Sequence, residues 1–201
     1  ESNGRSSQYT LDSVGNRQAL VVTQGAQVVT TTSVSNAFNQ LVASNRSGGG
    51  LPALATAYTY DANGNLTSET AGTAVTTYAW DADNRLRQVN QPSLLSSYEY
   101  DAHGLRTKKV EAGVETRFLL DGVSVLAEFD SANVATRRYL QNPESIDDIY
   151  EFSEGGAAYF PLTDALGSVV AITDSSGAVV RRNSYEVYGA RSSTGTGPDW
   201  A

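Results

Sequence analysis

The stretch Tyr58-Thr59-Tyr60-Asp61-Ala62-Asn63-Gly64-Asn65-Leu66 places two aromatic residues just ahead of an Asp, and a Gly follows that Asp three positions later. The aromatic-x-aromatic-Asp-Ala part returns at residues 78–82 and 98–102, so that successive copies lie 20 residues apart. Self-similarity at a fixed period of this size is the sequence signature of a repeat architecture. The chain is therefore predicted to consist of short, similar structural units.

The Asp of each copy predicts a hairpin turn. Asp or Asn at the first position of a type I turn accepts hydrogen bonds from the backbone N–H groups that follow it. The fourth residue must then tolerate a positive φ, which Gly does freely and Asn does best among the others. This pattern predicts the following turn residues: Asp12, Gly15, Asp61, Gly64, Asp81, Asn84, Asp101, Gly104, Asp164, Gly167, Asp174 and Gly177. Asn36 with Asn39 and Asp130 with Asn133 are variants of the same pattern.

The aromatic residues predict the strands that flank these turns. Residues two apart in a strand lie on one face, and aromatic side chains suit a half-buried strand face. If neighbouring strands are in register, the pairs form an aromatic ladder of Tyr58, Tyr60, Tyr78, Trp80, Tyr98 and Tyr100. The opposite turns are predicted at Ala71-Gly72, Ala112-Gly113 and Asp121-Gly122. The predicted fold class is all-β, an antiparallel β-hairpin meander with two strands in each repeat of about 20 residues.

Composition limits the classes of partner. The 201 residues have a formal net charge of −8, whereas nucleic-acid binding requires a basic surface. No apolar run reaches the ~18–20 residues of a transmembrane helix, so membrane insertion is not expected. The absence of Cys excludes disulfides and thiolate metal sites. The polar first residues and the absence of Met indicate a chain that begins in mid-sequence, as a mature product or a fragment does.

The repeated motif resembles the YD repeats of the Rhs family, whose relatives include the C components of insecticidal toxin complexes and the extracellular teneurins. Residues 162–169, 173–177 and Tyr185-Glu186-Val187-Tyr188-Gly189 resemble the Rhs-repeat-associated core region. The resemblance implies a meander that coils into a spiral strip and forms a hollow shell around a C-terminal toxic or effector domain. The later Gly-Leu-Tyr and Arg-Tyr-Tyr blocks of that core region and its Asp-Pro segment are absent from the chain. Self-cleavage and a toxin domain are therefore not assigned to it.

The resemblance divides the chain into three parts of one continuous architecture. Residues 1–57 are predicted to be diverged YD-type repeats with a Gly-rich insertion at residues 47–50, and residues 58–141 to be regular YD repeats. Residues 142–201 are predicted to be the start of the core region, truncated before its end.

The ionisable residues allow a catalytic and a structural interpretation. Asp61, Asp81 and Asp101 could form an acid/base pair or ligate a metal, but turn geometry asks for Asp at each of these positions. His103 is the only histidine and occupies a turn position, which predicts a solvated side chain rather than a catalytic base. No catalytic residue, cofactor or metal site is predicted, and the chain is not expected to be an enzyme. The adjacent basic pairs Lys108-Lys109, Arg137-Arg138 and Arg181-Arg182 are expected to point to opposite strand faces as solvated side chains.

These features predict a structural segment of an Rhs/YD-repeat β-shell that encapsulates a C-terminal toxin or effector cargo. The expected partners are flanking repeats of a longer parent chain, neighbouring copies or a companion chain, together with the cargo polypeptide. The alternative is an extracellular adhesive module whose aromatic ladder binds glycans or proteins rather than packing against adjacent repeats. Either function implies a secreted or cell-surface protein, and the Rhs resemblance implies a bacterial one.

Overall fold

The computed structural model describes residues 4–145, 148–186 and 189–199. Within these ranges the chain forms 18 β-strands and no helix. Each strand is antiparallel to the strands next to it in the chain, which confirms the predicted all-β hairpin meander. Val187 and Tyr188 of the predicted core-region motif lie outside the described residues. The chain separates into two compact units, Glu1–Ser97 and Tyr98–Ala201.

The first unit contains eight complete strands and the beginning of a ninth. These strands are β1 (Arg5–Leu11), β2 (Arg17–Gln24), β3 (Gln27–Ser35), β4 (Leu41–Gly48), β5 (Leu54–Tyr60), β6 (Leu66–Ala71), β7 (Ala74–Trp80), β8 (Leu86–Gln91) and β9 (Leu94–Tyr100). The register is set by cross-strand pairs such as Tyr58 with Glu69 and Glu69 with Thr76. A β-bulge lies beside the turn after β5, between Thr59 and Tyr60, and it adds twist where the strand enters the turn.

The second unit contains the end of β9 and nine further strands. These are β10 (Arg106–Glu111), β11 (Val114–Asp121), β12 (Ser124–Phe129), β13 (Ala135–Gln141), β14 (Ile149–Glu154), β15 (Ala157–Thr163), β16 (Val169–Asp174), β17 (Val179–Tyr185) and β18 (Arg191–Gly195).

In the second unit, long and short turns both occur at each edge of the sheet. The Asp101 turn joins β9 to β10, and the short turn at Asp121-Gly122 joins β11 to β12, so both lie at the same edge. The sequence instead suggested that Asp121-Gly122 lies opposite, with Ala112-Gly113. The longer Asp130 and Asp174 turns lie at that opposite edge, because they join β12 to β13 and β16 to β17.

Burial differs between the two units. In the second unit Phe152, Val169 and Ile172 form a small core, against which Tyr139, Tyr159 and Val180 pack. In residues 4–97 no hydrophobic side chain is fully buried, and the two buried residues are Thr56 and Ser96. The first unit is therefore a single sheet layer without a hydrophobic core of its own.

The two faces of this layer are unequal. Along β5, Thr56, Tyr58 and Tyr60 are buried or half-buried, whereas Ala57 and Thr59 between them are exposed. The same alternation follows β7, where Tyr78 and Trp80 are half-buried. We call the side of the sheet that holds Tyr58, Tyr60, Tyr78 and Trp80 the aromatic face.

No helix long and apolar enough to cross a membrane occurs among the described residues.

Candidate functional site

The five-residue hairpin tips share one hydrogen-bond network. At the tip of residues 12–16, Oδ1 of Asp12 accepts from the backbone N–H groups of Val14 (3.0 Å) and Asn16 (2.8 Å). The Gly15 N–H donates to the Asp12 carbonyl at 3.2 Å. Equivalent bonds to the first side chain of the tip recur at these positions: Asn36, Asp61, Asp81, Asp101, Asp130, Asp164 and Asp174. The structure places Asp12, Asp61, Asp81, Asp101, Asp164 and Asp174 at the first position of such tips, with Gly or Asn at the fourth.

The fourth residue of each tip has left-handed backbone geometry. The φ angle is 92° at Gly15 and 87° at Gly64, and it is 83° at Gly104, Gly167 and Gly177. Asn84 occupies the same position with a φ of 60°. A side chain other than Asn or Asp is strained in this region, which accounts for the restriction to Gly and Asn.

The tip carboxylates are occupied by local donors. Oδ2 of Asp61 accepts from the Asn65 side chain at 2.9 Å, and Oδ2 of Asp81 accepts from Nε of Arg85 at 2.7 Å. The Asn65 side-chain bond is the largest cause that holds the pKa of Asp61 below its usual value. For the lowered pKa of Asp81 the largest cause is the backbone N–H of Arg85. Such carboxylates favour the charged, turn-capping role over proton transfer.

Tips of the first unit also bond to one another through asparagines. Asn16 Nδ2 donates to Oδ1 of Asn39 at 2.9 Å, which joins the first tip to the second. Nδ2 of Asn63 and of Asn65 donate to Oδ1 of Asn84 at 3.1 and 2.8 Å, which joins the third tip to the fourth. From the turn pattern alone, Asn at the fourth position is predicted only as a substitute for Gly. The sequence feature that accompanies these cross-tip bonds is the alternation of Gly15, Asn39, Gly64 and Asn84 in successive tips.

The aromatic residue before a tip supplies a polar atom to the preceding repeat. Nε1 of Trp80 donates to the carbonyl of Leu66 at 2.7 Å, and the Tyr60 hydroxyl donates to the carbonyl of Leu41 at 2.7 Å. Both carbonyls lie beyond the last register pair of their strands, Ser68 with Thr77 and Ala43 with Ala57. The side chain therefore satisfies a backbone acceptor at the end of the ladder.

The other aromatic residues of the predicted ladder are also half-buried. The Tyr58 hydroxyl lies 3.5 Å from Oγ of Ser44. Burial is the largest cause that raises the pKa of Tyr78, and the nearby Glu69 raises it further. In the second unit the guanidinium of Arg106 lies 5.6 Å from the ring centroid of Tyr98, and Tyr100 is half-buried at the end of β9.

A groove runs between two tips of the first unit. It has a volume of about 670 Å³, and its walls include Phe38, Gln40, Tyr58, Tyr60 and Asp61. Phe38 is 83% exposed at the apex of its tip. The groove offers aromatic surface beside amide and carboxylate groups, which is the chemistry of a weak carbohydrate or peptide contact.

A metal site in this cysteine-free chain would use His, Asp and Glu side chains. No group of three or more His, Asp or Glu side chains within residues 4–145, 148–186 and 189–199 is placed to hold a metal ion. His103 is exposed at its tip, where its backbone N–H donates to Oδ1 of Asp101 at 2.9 Å.

Comparison with known proteins identifies the repeat. The family description "RHS Repeat" matches residues 60–94. The tRNA3(Ser)-specific nuclease WapA of Bacillus spizizenii is 30% identical over 187 residues, which cover 90% of this chain and 7% of that protein. The tRNA nuclease WapA of Bacillus subtilis is 30% identical over the same length, with the same coverage. The chain thus spans 7% of the length of these curated relatives.

Solved structures with similarity to this chain come from Tc toxin components. The crystal structure of TcdB2-TccC3-TEV aligns with a TM-score of 0.43 and 12% identity, covering 92% of this chain and 14% of that one. The crystal structure of TcdB2-TccC3-Cdc42 aligns with a TM-score of 0.40 and 14% identity, covering 93% and 13% of the two chains.

Proposed function

This chain is an Rhs/YD-repeat protein, and on that premise we propose that it is a non-enzymatic structural segment of a β-shell that encapsulates a C-terminal toxin or effector. The observation that carries the proposal is the pairwise joining of neighbouring hairpin tips, the first to the second through Asn39 and the third to the fourth through Asn84. A wall made of one polypeptide needs contacts between successive repeats, and these bonds supply them along an edge. The tip carboxylates cap turns, which leaves them unsuited to acid/base chemistry.

The single-layer first unit supports the same proposal. A sheet is stable when its apolar face is covered, and residues 4–97 contain no fully buried hydrophobic side chain. The half-buried aromatic face therefore fits a protein in which further polypeptide lies against it. The proposed lateral partners are flanking repeats of a longer parent chain, neighbouring copies or a companion chain. The cargo polypeptide is proposed to lie inside the shell.

The relatives suggest the kind of parent protein. These relatives are named as tRNA nucleases, and this chain corresponds to a small part of each. We propose that this chain is the structural part of a longer bacterial protein that is secreted or displayed at the cell surface.

Protease protection tests the proposal in a parent polypeptide that contains this chain and a C-terminal cargo. Cargo peptides are expected to resist limited proteolysis in the intact parent and to be cleaved after Asp61→Ala and Asp81→Ala open two adjacent tips. His103→Ala serves as the control, because the His103 side chain is exposed and only its backbone takes part in the tip bond. Equal cleavage of the cargo in the intact and tip-opened parents would exclude encapsulation by this segment.

The second candidate function is an adhesive module, which the groove beside Phe38 favours. Screening the chain against glycan and peptide arrays tests it directly. Binding that is lost in Phe38→Ser and reduced in Trp80→Ala would support adhesion. Because Trp80 also bonds to the Leu66 carbonyl, Phe38→Ser is the cleaner variant. An array without signal would remove this alternative.

A further inference from the structure

A short segment after the last strand crosses back over the second unit. The N–H groups of Thr196 and Gly197 both donate to the carbonyl of Val180, at 3.1 and 3.0 Å. We call residues 196–199 the strap. Gly197 and Pro198 are half-buried, so the strap is packed against the sheet.

Arg181 holds the backbone of the strap. Its Nε donates to the carbonyls of Gly197 (3.1 Å) and Pro198 (2.8 Å), and its terminal amino group also donates to the Gly197 carbonyl. The Arg181 side chain is only 16% exposed. A planar guanidinium that donates to main-chain carbonyls holds a segment through its backbone, independently of the side chains of that segment.

Two further arginines surround the carboxyl end of the strap. A terminal amino group of Arg191 lies 3.0 Å from a carboxylate oxygen of Asp199, and Arg181 lies 3.7 Å from the same oxygen. Arg137 donates to the Asp199 carbonyl at 3.1 Å. The strap is therefore recognised by its main chain and by one negative charge.

The arginines occupy one face although they come from three strands. Arg137 pairs across the ladder with Glu154, and Arg181 pairs with Ile172 of the core. This placement differs from the sequence expectation of solvated basic pairs. Arg138 is exposed on the opposite face of β13, whereas the Arg137 side chain is 16% exposed.

The position of Arg137 does not depend on the strap. Its guanidinium lies 5.2 Å from the ring centroid of Phe152, and its Nε donates to Glu154 at 2.8 Å. A cavity of about 280 Å³ adjoins this arginine, and Lys109, Glu128, Glu154 and Asp199 also line it. The cavity leaves room beside the strap for a further side chain.

We propose that Arg137, Arg181 and Arg191 form a binding site for a short acidic peptide segment, which the strap occupies in this structure and which another polypeptide can occupy in its place. The Asp199 carboxylate lies 3.0 Å from Arg191 and 3.7 Å from Arg181, whereas Arg137 is paired with Glu154, so displacement of Asp199 leaves the positive charge of Arg181 and Arg191 without this carboxylate. That charge attracts a carboxylate, and Arg181 provides the main-chain contacts. The inference goes beyond the shell function and does not depend on it.

Binding of a peptide to the surface-attached 201-residue chain tests the proposal. The 201-residue chain is attached at low density to a sensor surface, and the peptide Gly-Thr-Gly-Pro-Asp, blocked at both ends, is the analyte. Asp199→Asn weakens the internal competitor, so this variant is expected to bind the peptide about fivefold more tightly than the unaltered chain. The same peptide with Asn in place of Asp is expected to bind at least about fivefold more weakly, because it lacks the charge.

Substitutions of the arginines separate binding from folding. In the Asp199→Asn background, Arg181→Lys keeps the charge but loses the guanidinium fork, and at least about tenfold weaker binding is expected. Arg138→Ala, on the opposite face, is the matched control and is expected to leave binding unchanged. Circular dichroism verifies that both variants keep their β-structure. Failure of the Asp199→Asn chain to bind the acidic peptide more tightly, or unchanged binding in Arg181→Lys, would overturn the proposal.

Discussion

An asparagine at the fourth position of a tip combines a backbone property with a side-chain bond. Asn84 adopts a φ of 60°, and its Oδ1 accepts from the side chains of Asn63 and Asn65. Asn84→Gly keeps the backbone geometry and removes the cross-tip bonds, so we expect it to lower the free energy of unfolding by about 1 kcal/mol. Asn84→Ala also strains the backbone and is expected to cost about 1 kcal/mol more. Urea unfolding of the three chains measures both steps, and a glycine variant as stable as the original would show that the cross-tip bonds contribute nothing.

The tip carboxylates make stability depend on pH. The pKa values of Asp12, Asp61, Asp81 and Asp174 are lowered, chiefly by bonds from Asn16, Asn65, Arg85 and Ser176 respectively. A carboxylate whose pKa is depressed by folding stabilises the native state above its unfolded pKa, near 3.9, and loses that effect as the pH falls through its folded pKa. The urea midpoint is therefore expected to fall as the pH is lowered from about 5 to 2.

Replacing all four of these residues with Asn tests the assignment. Asn keeps an acceptor oxygen at each tip but does not titrate, so the acid-dependent loss of stability should become clearly smaller. Asp121→Asn, at a short turn, controls for the loss of one negative charge. An unchanged pH profile in the fourfold variant would assign the acid sensitivity to other groups.

At the scale of the strand, the aromatic residue before a tip connects successive repeats. The Tyr60 hydroxyl is the partner of the Leu41 carbonyl, which lies beyond the ladder between β4 and β5. Tyr60→Phe keeps the ring and leaves that carbonyl without the bond, so a loss of about 1–2 kcal/mol in the free energy of unfolding is expected. Tyr150→Phe is the matched control, because Tyr150 is 52% exposed. Equal effects of the two substitutions in urea unfolding would contradict this role of Tyr60.

The sequence could predict elements whose signals are local. Asp61 and Gly64 specify a turn within four residues, and the two-residue spacing of Tyr58 and Tyr60 specifies a strand face. The sheet edge at which the Asp121-Gly122 turn lies could not be predicted in this way. Turn residues specify the backbone angles of a turn, but they do not specify how many strands lie between that turn and the preceding one.

Contacts between residues that are far apart in the sequence could not be predicted from these local patterns. Asn16 and Asn39 are 23 positions apart, and their bond exists only because the meander brings two tips together. The strap is a stronger example, since Arg137 and Asp199 are separated by 62 positions. Nothing in either local sequence distinguishes Arg137 from the exposed Arg138 beside it, apart from the period of two that assigns them to opposite faces.

At the scale of the whole chain, the terminal strands determine how the protein behaves in isolation. Within the described part of the chain, β1 has register pairs with β2, and β18 has register pairs with β17. An unpaired strand side displays backbone donors and acceptors that can pair with another chain. We therefore expect the isolated 201-residue chain to self-associate, with a sedimentation coefficient that rises with protein concentration.

Charge placed on a terminal strand should suppress this association. Ser6 and Gln8 are exposed on β1, and Ser6→Lys with Gln8→Lys adds two like charges that repel an incoming strand. Thr77→Lys with Ala79→Lys adds the same charge at exposed positions of β7, which has a partner on both sides, and is the matched control. Association that falls in the β1 variant and persists in the β7 variant identifies the β1 edge as the contact. If the unaltered chain sediments as a monomer at every protein concentration, its strand edges need no partner. The shell proposal would then lose the support that it draws from a requirement for lateral neighbours.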